Sequence, residues 1–202
     1  LEKHKEAKKV LINATKLNPN CAETYYNLGI IFSQLQDFKN AERSFKKALK
    51  LKNNYIEAYN EIAYVYKRTD SYHQAIMYYK KALEINNKLP ELHHNLSLIF
   101  KYVGNIENSI LHQKIACLLG PDKKGFYIQL LYNSNYSPDM TAEEIFSYYK
   151  QFDERFALPL KEKWQPFTQP KIPNKRLKIG YVSPDFRDHS MKNFLLSFLP
   201  LH

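Results

Sequence analysis

Residues 22–55 read AETYYNLGIIFSQLQDFKNAERSFKKALKLKNNY, and residues 56–89 read IEAYNEIAYVYKRTDSYHQAIMYYKKALEINNKL. Both segments are 34 residues long, and they place small, large apolar and aromatic side chains at the same positions. Residues 90–121 repeat the pattern in a weaker form, and a half-unit at residues 7–19 precedes it. One repeated unit therefore organises residues 1–121.

The spacing within each unit predicts two short amphipathic helices. Residues three and four apart lie on the same face of a helix, and the repeated residues have this spacing. In the first full unit they are Tyr25, Leu28, Gly29, Phe32, Ala41, Phe45 and Ala48. The small residues let helix backbones approach closely, while the aromatic rings fill the grooves between helices. A single helix pair cannot bury its apolar face, so we expect the units to stack.

Helix boundaries follow from the repeat and from the turn residues between the apolar faces. We predict helices at residues 3–17, 22–35, 38–51, 56–69, 72–85, 90–103 and 106–119, with a helix stop at Gly120-Pro121. Turns are expected at Gln36-Asp37, Asp70-Ser71 and Gly104-Asn105. A unit of two such helices resembles the tetratricopeptide repeat, which implies a mainly α fold, a right-handed superhelix.

Beyond the third unit the repeat fades. Tyr127 and Leu130 still hold the positions of the aromatic residue and the leucine of a fourth unit. The segment Thr141–Glu144 has the form of a capping box, which opens a helix that we expect to end near Phe156. We therefore predict that residues 122–157 are degenerate capping or transition helices.

The composition changes again at Leu158. Prolines and basic side chains alternate through residues 158–176, which favours an extended basic linker over a packed helix. Residues 177–183 form a β-rich run, and residues 193–199 form an apolar helical stretch. A strand, a polar turn and a helix are the first step of an α/β domain, so we predict the start of such a domain at residues 177–202.

Charge and hydropathy limit the classes of partner. The formal net charge is +10 and the pI is about 9.4, but many lysines fall on outward faces of second helices, as in Lys46-Lys47 and Lys80-Lys81. No recognised nucleic-acid module accompanies them, so we expect acidic partners and no specific nucleic acid. No apolar run reaches the length of a membrane span, and a membrane partner is not expected.

The cysteines and the first residues indicate the compartment. Cys21 and Cys117 lie nearly three units apart and have no metal-ligand spacing, so we expect reduced, buried or half-buried thiols. The segment Leu1–Lys5 begins inside a helix and does not resemble a secretory signal. These features favour a cytoplasmic protein.

The tail carries the most specific motif. Residues 177–190 read LKIGYVSPDFRDHS, and residues 136–144 read YSPDMTAEE. Together with the preceding repeats, these runs resemble the opening of the catalytic region in the O-linked N-acetylglucosamine transferase family, which includes the SPINDLY-type O-fucosyltransferases. The resemblance implies a repeat arm that recruits protein substrates and a two-lobed, GT-B-like sugar-nucleotide transferase, which modifies Ser or Thr hydroxyls.

The resemblance also implies a role for His189. By motif, His189 corresponds to a histidine at the family's active-site cleft, a candidate base or substrate contact, and an imidazole suits proton transfer near neutral pH. Asp188 stands where relatives often have Asn, and the alternative is that His189 only caps the next helix. The resemblance further implies a nucleotide-sugar donor of the UDP-GlcNAc or GDP-fucose type, but the family's donor-binding residues lie in a second lobe. We therefore predict no cofactor site in these 202 residues and expect them to be inactive alone.

The repeats provide a second candidate site. The sixth position of each first helix faces the groove of such superhelices and reads Asn27, Glu61 and Asn95, while the twelfth position carries Lys67 and Lys101. An amide can donate to and accept from a peptide backbone, whereas an ionised Glu61 can only accept. We therefore predict a groove that binds protein or peptide substrates. The repeats could also join copies of the chain as a homo-oligomer.

Several alternatives remain open at this point. Glutamates at the second position, among them Glu57, can bind a ligand or simply stabilise the first turn of their helices. The adjacent His93 and His94 point in different directions on a helix, and His93 holds an aromatic core position, so no metal site is expected. The whole protein is then either a protein O-glycosyltransferase with a repeat arm or a non-catalytic repeat scaffold. A third hypothesis, basic nucleic-acid binding, would require affinity that is retained at near-physiological salt.

Overall fold

In a computed structural model of the chain, residues 2–163 are described. They consist of α1 (Glu2–Leu17), α2 (Ala22–Gln34), α3 (Phe38–Leu51), α4 (Ile56–Arg68), α5 (Tyr72–Ile85), α6 (Pro90–Tyr102), α7 (Ile106–Leu119), α8 (Lys124–Ser134) and α9 (Ala142–Phe152). A π-helical turn, Asp153–Ala157, and a 3₁₀ helix, Leu158–Lys163, follow α9. These helices form antiparallel pairs, and each pair packs on the next.

The predicted repeat is confirmed through three full units. The first helices begin at Ala22, Ile56 and Pro90, which are 34 residues apart, and the predicted ends differ from the observed ends by at most one residue. The helix α8 begins at Lys124, so it keeps the step, whereas α9 begins at Ala142, two residues late. In the fourth unit only the first helix, α8, therefore begins at the position that the 34-residue repeat predicts.

The repeated residues lie where the helices meet. Ala41, Ala75 and Ala82 are fully buried, as are the rings of Phe45 and Tyr79. A close approach at Gly29 explains the absence of a side chain there, because a Cβ atom would lie 2.5 Å from Phe45 Cε1. Small residues in this fold thus make room for the aromatic ring of the partner helix.

The turns within the pairs depend on left-handed backbone conformations. Gln36, Asp70 and Gly104 have φ values of 60°, 54° and 76°. Asp37 and Asn105, the N-cap residues of the following helices, each accept a hydrogen bond from the backbone N–H three residues later. The turns between the helices of each pair are therefore confirmed at the predicted positions.

The third and fourth units replace apolar core residues with polar ones. Gln113 takes the place of Phe45 and Tyr79, and Asn133 takes the place of Val65 and Ile99. Gln113 Nε2 donates to the Phe126 carbonyl at 2.9 Å. Two buried hydroxyls complete the network, since Asn133 Nδ2 lies 2.8 Å from Ser109 Oγ and 3.2 Å from Ser97 Oγ. In residues 2–163 every buried side-chain N or O atom has a hydrogen-bond partner. The polar core residues of these two units are therefore stable in a buried position.

The last described residues differ in part from expectation. The capping box is confirmed, with Thr141 Oγ1 accepting from the Glu144 N–H and the Glu144 carboxylate accepting from the Thr141 N–H. The α-helix ends at Phe152, earlier than predicted, because the chain widens into the π-helical turn. Residues 158–163 are helical and not extended, since Pro159 stands in the first turn, where proline is tolerated.

Several predictions fall outside the described residues. They concern the remainder of the linker, the strand at residues 177–183, the helix at residues 193–199 and His189. Within residues 2–163 no helix combines the length and apolar character that crossing a membrane requires.

Candidate functional site

The first helices of successive units adjoin one another along one face of the repeats, which we call the inner face. Asn95 on α6 donates to Asn60 Oδ1 on α4 at 3.1 Å, so these two helices touch. The next contact along the face is Lys101 on α6, whose ammonium nitrogen lies 4.6 Å from the centre of the Tyr132 ring on α8. Since α2 also contacts α4, the inner face runs from α2 to α8.

A mostly apolar cavity of about 470 Å³ opens at the start of the inner face, between α1 and α2. Its lining consists of Ala7, Val10, Leu11, Asn27, Ile30, Ile31 and Gln34. Ile31 is only half-buried, whereas Val65 and Ile99, which hold the same position in later units, are 1% and 0% exposed. Val65 packs against Leu28 and Phe32 of the preceding first helix, and residues 2–163 contain no first helix before α2, which accounts for the difference.

A polar cavity of about 310 Å³ lies next to it, between α2 and α4. Its lining consists of Ile30, Ser33, Gln34, Gln36, Glu61, Tyr64 and Arg68, so it shares Ile30 and Gln34 with the apolar cavity. Arg68 Nη1 donates to the Tyr64 hydroxyl at 3.1 Å, and the guanidinium lies 5.3 Å from the centre of the Phe38 ring. The guanidinium is therefore held in place with donors to spare.

The centre of the inner face carries a chain of amides that ends at Glu61. Asn95 donates to Asn60, and Asn60 Nδ2 donates in turn to Glu61 Oε1 at 3.2 Å. Burial raises the pKa of the Glu61 carboxyl, and the bond from Asn60 offsets only part of this effect. Glu61 can thus accept from a ligand N–H when ionised and donate when protonated, while Asn95 keeps free donor and acceptor capacity.

The residues proposed from sequence are distributed along this face as follows. Asn27 is exposed and lines the apolar cavity, Glu61 lines the polar cavity, and Asn95 is tied to Asn60. Lys67 and Lys101 approach the same ring, with ammonium nitrogens 6.0 and 5.8 Å from the centre of Tyr102. The structure therefore brings the two lysines together and spreads the three sixth-position residues over separate surroundings.

The glutamates of the second position are engaged at the helix N-termini. Glu23 pairs with Lys52 at 3.9 Å, and Glu91 pairs with Lys123. The pKa of Glu23 is lowered mainly by its backbone hydrogen bond, as expected at the positive end of a helix dipole. Helix stabilisation thus accounts for these two side chains.

Sequence reasoning missed Asn60, Tyr64 and Arg68. They stand at the fifth, ninth and thirteenth positions of α4, next to the sixth and twelfth positions that we predicted to face the groove. The signal that could have found them is helical spacing, because positions five, nine, twelve and thirteen lie on neighbouring strips of the same helix face.

His93, His94 and His112 make contacts between α6 and α7. His93 Nδ1 and His112 Nδ1 are 3.0 Å apart, and His93 Nε2 donates to the Asn87 carbonyl at 3.0 Å. Burial, followed by the charges of His93 and Lys80, lowers the pKa of His112 to about 4. Among the residues that the structure describes, no three His, Cys, Asp or Glu side chains come together as metal ligands.

Comparison with known proteins agrees with this architecture. Residues 22–55 and 56–89 each match a model of the tetratricopeptide repeat. Among solved structures, a crystal structure of MamA protein has a TM-score of 0.70 at 20% identity and covers 84% of this chain and 90% of its own. YrrB, described as a tetratricopeptide-repeat protein with an unusual peptide-binding site, has a TM-score of 0.62 at 20% identity, with coverages of 72% and 74%. Residues 22–89 are thus tetratricopeptide repeats, and the helices of residues 2–163 share the fold of these solved structures.

A curated relative is similar over a shorter stretch. The probable UDP-N-acetylglucosamine–peptide N-acetylglucosaminyltransferase SPINDLY of Hordeum vulgare is 29% identical over 84 residues. That stretch is 42% of this chain and only 9% of the length of the relative. The solved structures therefore show the fold of this chain. The curated relative shows similarity in sequence over 84 residues only.

Proposed function

We propose that this chain is a protein-interaction module whose inner face binds extended peptide segments of partner proteins. The observation that carries the proposal is the polar cavity between α2 and α4, which adjoins the apolar cavity at Ile30 and Gln34 and leads to the amide chain from Glu61 to Asn95. Successive side chains on one side of an extended peptide lie about 7 Å apart, so neighbouring cavities can receive two of them. The peptide-binding site named for YrrB, which has the same fold, supports this choice.

The polar groups of the inner face suit a peptide backbone. Arg68 and the Asn95 amide can donate to peptide carbonyls, while ionised Glu61 can accept from a peptide N–H. The apolar cavity supplies the burial that makes such a contact favourable, at about 25 cal/mol per Å² of apolar surface. Hydrogen bonds to the peptide backbone then give affinity that does not depend on the peptide sequence. The two cavities select among side chains.

The test uses selected peptides and a matched pair of variants. Peptides from a random library are selected on the full chain, and their affinities for Ile30→Asp and Met77→Asp are measured by fluorescence anisotropy. Both substitutions place a carboxylate on a partly exposed apolar position, but Met77 lies on α5, a second helix. We expect Ile30→Asp to weaken binding roughly tenfold or more, since a carboxylate replaces apolar surface that both cavities share, and Met77→Asp to have little effect.

Two results would overturn this proposal. One is equal weakening by both variants, with thermal melting showing that both remain folded. The other is hydrogen-exchange protection by the bound peptide on α3 and α5 in place of α2 and α4.

A second proposal concerns the whole protein. We infer that the repeats are the substrate-recruiting arm of a cytoplasmic protein O-glycosyltransferase that uses a UDP-GlcNAc or GDP-fucose type donor. The partial likeness to the barley SPINDLY protein and the run at residues 177–190 support this proposal. In it, His189 stays a candidate base or substrate contact.

Its test is a transfer assay on the protein as the gene encodes it. Each nucleotide sugar is supplied with a Ser- and Thr-rich acceptor protein, and transfer is followed by the mass increase of the acceptor. Transfer that is lost in His189→Ala and kept in His73→Ala would support the proposal. Absence of transfer with either donor, from protein whose repeats still bind selected peptides, would leave the scaffold alternative in its place.

A further inference from the structure

Cations and tyrosine rings alternate at the end of the inner face, where the first helices reach their C-termini. Lys67 and Lys101 both lie over Tyr102, at 6.0 and 5.8 Å from its centre. Lys101 also lies 4.6 Å from the centre of Tyr132, and the Tyr136 hydroxyl donates to the Tyr132 hydroxyl at 3.2 Å. We call these five residues, from α4, α6, α8 and the turn after α8, the lysine–tyrosine ledge.

The positive charge of this ledge is not neutralised by a carboxylate. In residues 2–163 the ion pairs are Lys46–Glu42, Lys52–Glu23, Lys123–Glu91 and Lys150–Glu154, and neither ledge lysine takes part. Asp70 is linked to the ledge only through rings, because it accepts from the Tyr72 hydroxyl at 2.6 Å and Tyr72 stacks on Tyr102. Two ammonium groups therefore remain available to an anion.

The tyrosine side chains of the ledge are solvent-exposed as well. Tyr102, Tyr132 and Tyr136 are 55%, 48% and 59% exposed. Cation–π contacts at exposed sites are weak, so they position the lysines without satisfying their charge. The ledge therefore presents positioned ammonium donors beside phenolic hydroxyls.

We propose that the lysine–tyrosine ledge binds an acidic peptide segment, with carboxylates at alternate positions that pair with Lys67 and Lys101. This inference rests on the proposed function, because it specifies the peptide that one end of the inner face prefers. The two ammonium nitrogens lie within about 12 Å of each other, since both approach the Tyr102 ring. Side chains at positions i and i+2 of an extended peptide project on the same side about 7 Å apart, and flexible lysines span the remainder.

Single-stranded nucleic acid is the competing class of anion, and the ring geometry disfavours it. Such ligands bind to aromatic platforms by stacking each base on a free ring face. Here Tyr72 stacks on Tyr102 at 5.5 Å, the ledge lysines lie over Tyr102, and Lys101 covers Tyr132. Carboxylates need only the ammonium groups and hydroxyls, which remain open.

The test measures fluorescence anisotropy of three labelled probes with the full chain. The probes are a peptide with Glu at alternate positions between alanines, the same peptide with Gln in place of Glu, and a single-stranded oligouridine. The protein variants are Lys67→Glu/Lys101→Glu and the control Lys80→Glu, which reverses an exposed charge on α5. We expect the Glu peptide to bind best and the double variant to weaken it roughly tenfold or more, with less than about twofold change in the control.

Each outcome decides the inference. Equal binding of the Glu and Gln peptides, equal weakening in Lys80→Glu, or tighter binding of oligouridine would overturn it. The peptides selected from the random library serve as the reference for the proposed function. If they bind the inner face while the Glu peptide shows no preference, the ledge proposal fails alone. If neither binds, the proposed function fails with it.

Discussion

The close contact between Gly29 and Phe45 makes the first unit sensitive to a single methyl group. A Cβ at Gly29 would meet three atoms of the Phe45 ring at 2.5 to 2.8 Å, and that ring is fully buried. We expect Gly29→Ala to lower the free energy of unfolding by about 1–3 kcal/mol, as overpacking does in cores. Urea denaturation followed by circular dichroism measures this loss.

Gly125→Ala is the control for this prediction. Gly125 lies in α8, and a Cβ added there would meet no atom within 4 Å, so the substitution tests helix propensity alone. Alanine should raise the stability by about 0.5–1 kcal/mol there. Similar changes from the two substitutions would show that the contact with Phe45 does not limit the size of residue 29.

The half-buried His112 predicts a loss of stability in mild acid. Its pKa is about 4 in the folded protein, chiefly because of burial, against about 6.5 in the unfolded chain. The unfolded state therefore takes up a proton first, so stability falls as the pH drops from 6.5 to 4 and levels off below that range. After allowance for solvent screening we expect a loss of about 1–2 kcal/mol, measured by urea midpoints across this pH range.

His112→Gln should flatten that pH dependence, while the exposed His73→Gln should leave it unchanged. Burial also lowers the pKa of His94, so a smaller slope in the same direction should remain in His112→Gln. An unchanged slope in His112→Gln would assign the acid sensitivity to other groups.

Sequence reasoning identified which repeat positions face the groove. It did not identify the contacts between residues at different positions. Lys67 and Lys101 could be placed because the repeat fixes which helix positions face the groove. The amide chain from Asn95 through Asn60 to Glu61 could not, since it depends on how far one unit is rotated against the next. The contact between His93 and His112 was missed for the same reason, as it joins two helices that the sequence describes separately.

The helices themselves were predictable because the 34-residue period constrains every boundary at once. The last unit shows the limit of this argument. Residues 133–138 interrupt the pattern, and α9 begins 36 residues after α7. Buried Asn133 and Gln113 join α8 to α7 through hydrogen bonds. The spacing of apolar residues therefore no longer predicts how these two helices pack.

The helix α9 depends on its N-terminal capping box. Because no residue of α9 is buried, tertiary packing contributes little to the stability of this helix. We expect Thr141→Ala to cost about 1 kcal/mol, since the Glu144 N–H then loses its side-chain partner. Because the loss is local, it should appear as roughly fivefold faster hydrogen exchange in α9, with little change in α2 to α6.

Ser147→Ala is the matched control in the same helix. Its hydroxyl donates to the Glu144 carbonyl at 2.7 Å within α9, where alanine is the better helix former. Exchange in α9 should therefore be unchanged or slower in this variant. Equal acceleration by the two substitutions would mean that loss of any hydroxyl, and not of the cap, loosens the helix.

Within residues 2–163, stability is expected to decline from α4 to α6 toward α1 and α9. The helix α4 contributes four buried residues and α6 contributes six, whereas α1 and α9 contribute none. Each unit contacts mainly its neighbours, so the array can open from its ends without unfolding the middle. Amide exchange should thus be slowest in α4 to α6 and fastest in α1 and α9.

Two isoleucines separate this gradient from a single cooperative unit. Ile62 is fully buried at the centre, and Ile12 is half-buried on α1 against the same core. We expect Ile62→Ala to cost about 2–5 kcal/mol and to accelerate exchange from α2 through α7, because both neighbouring interfaces lose packing. Ile12→Ala should accelerate exchange in α1 alone. If both variants instead speed exchange uniformly over all nine helices of residues 2–163, the array unfolds as one body, and the inner face cannot adapt to a partner by opening at its ends.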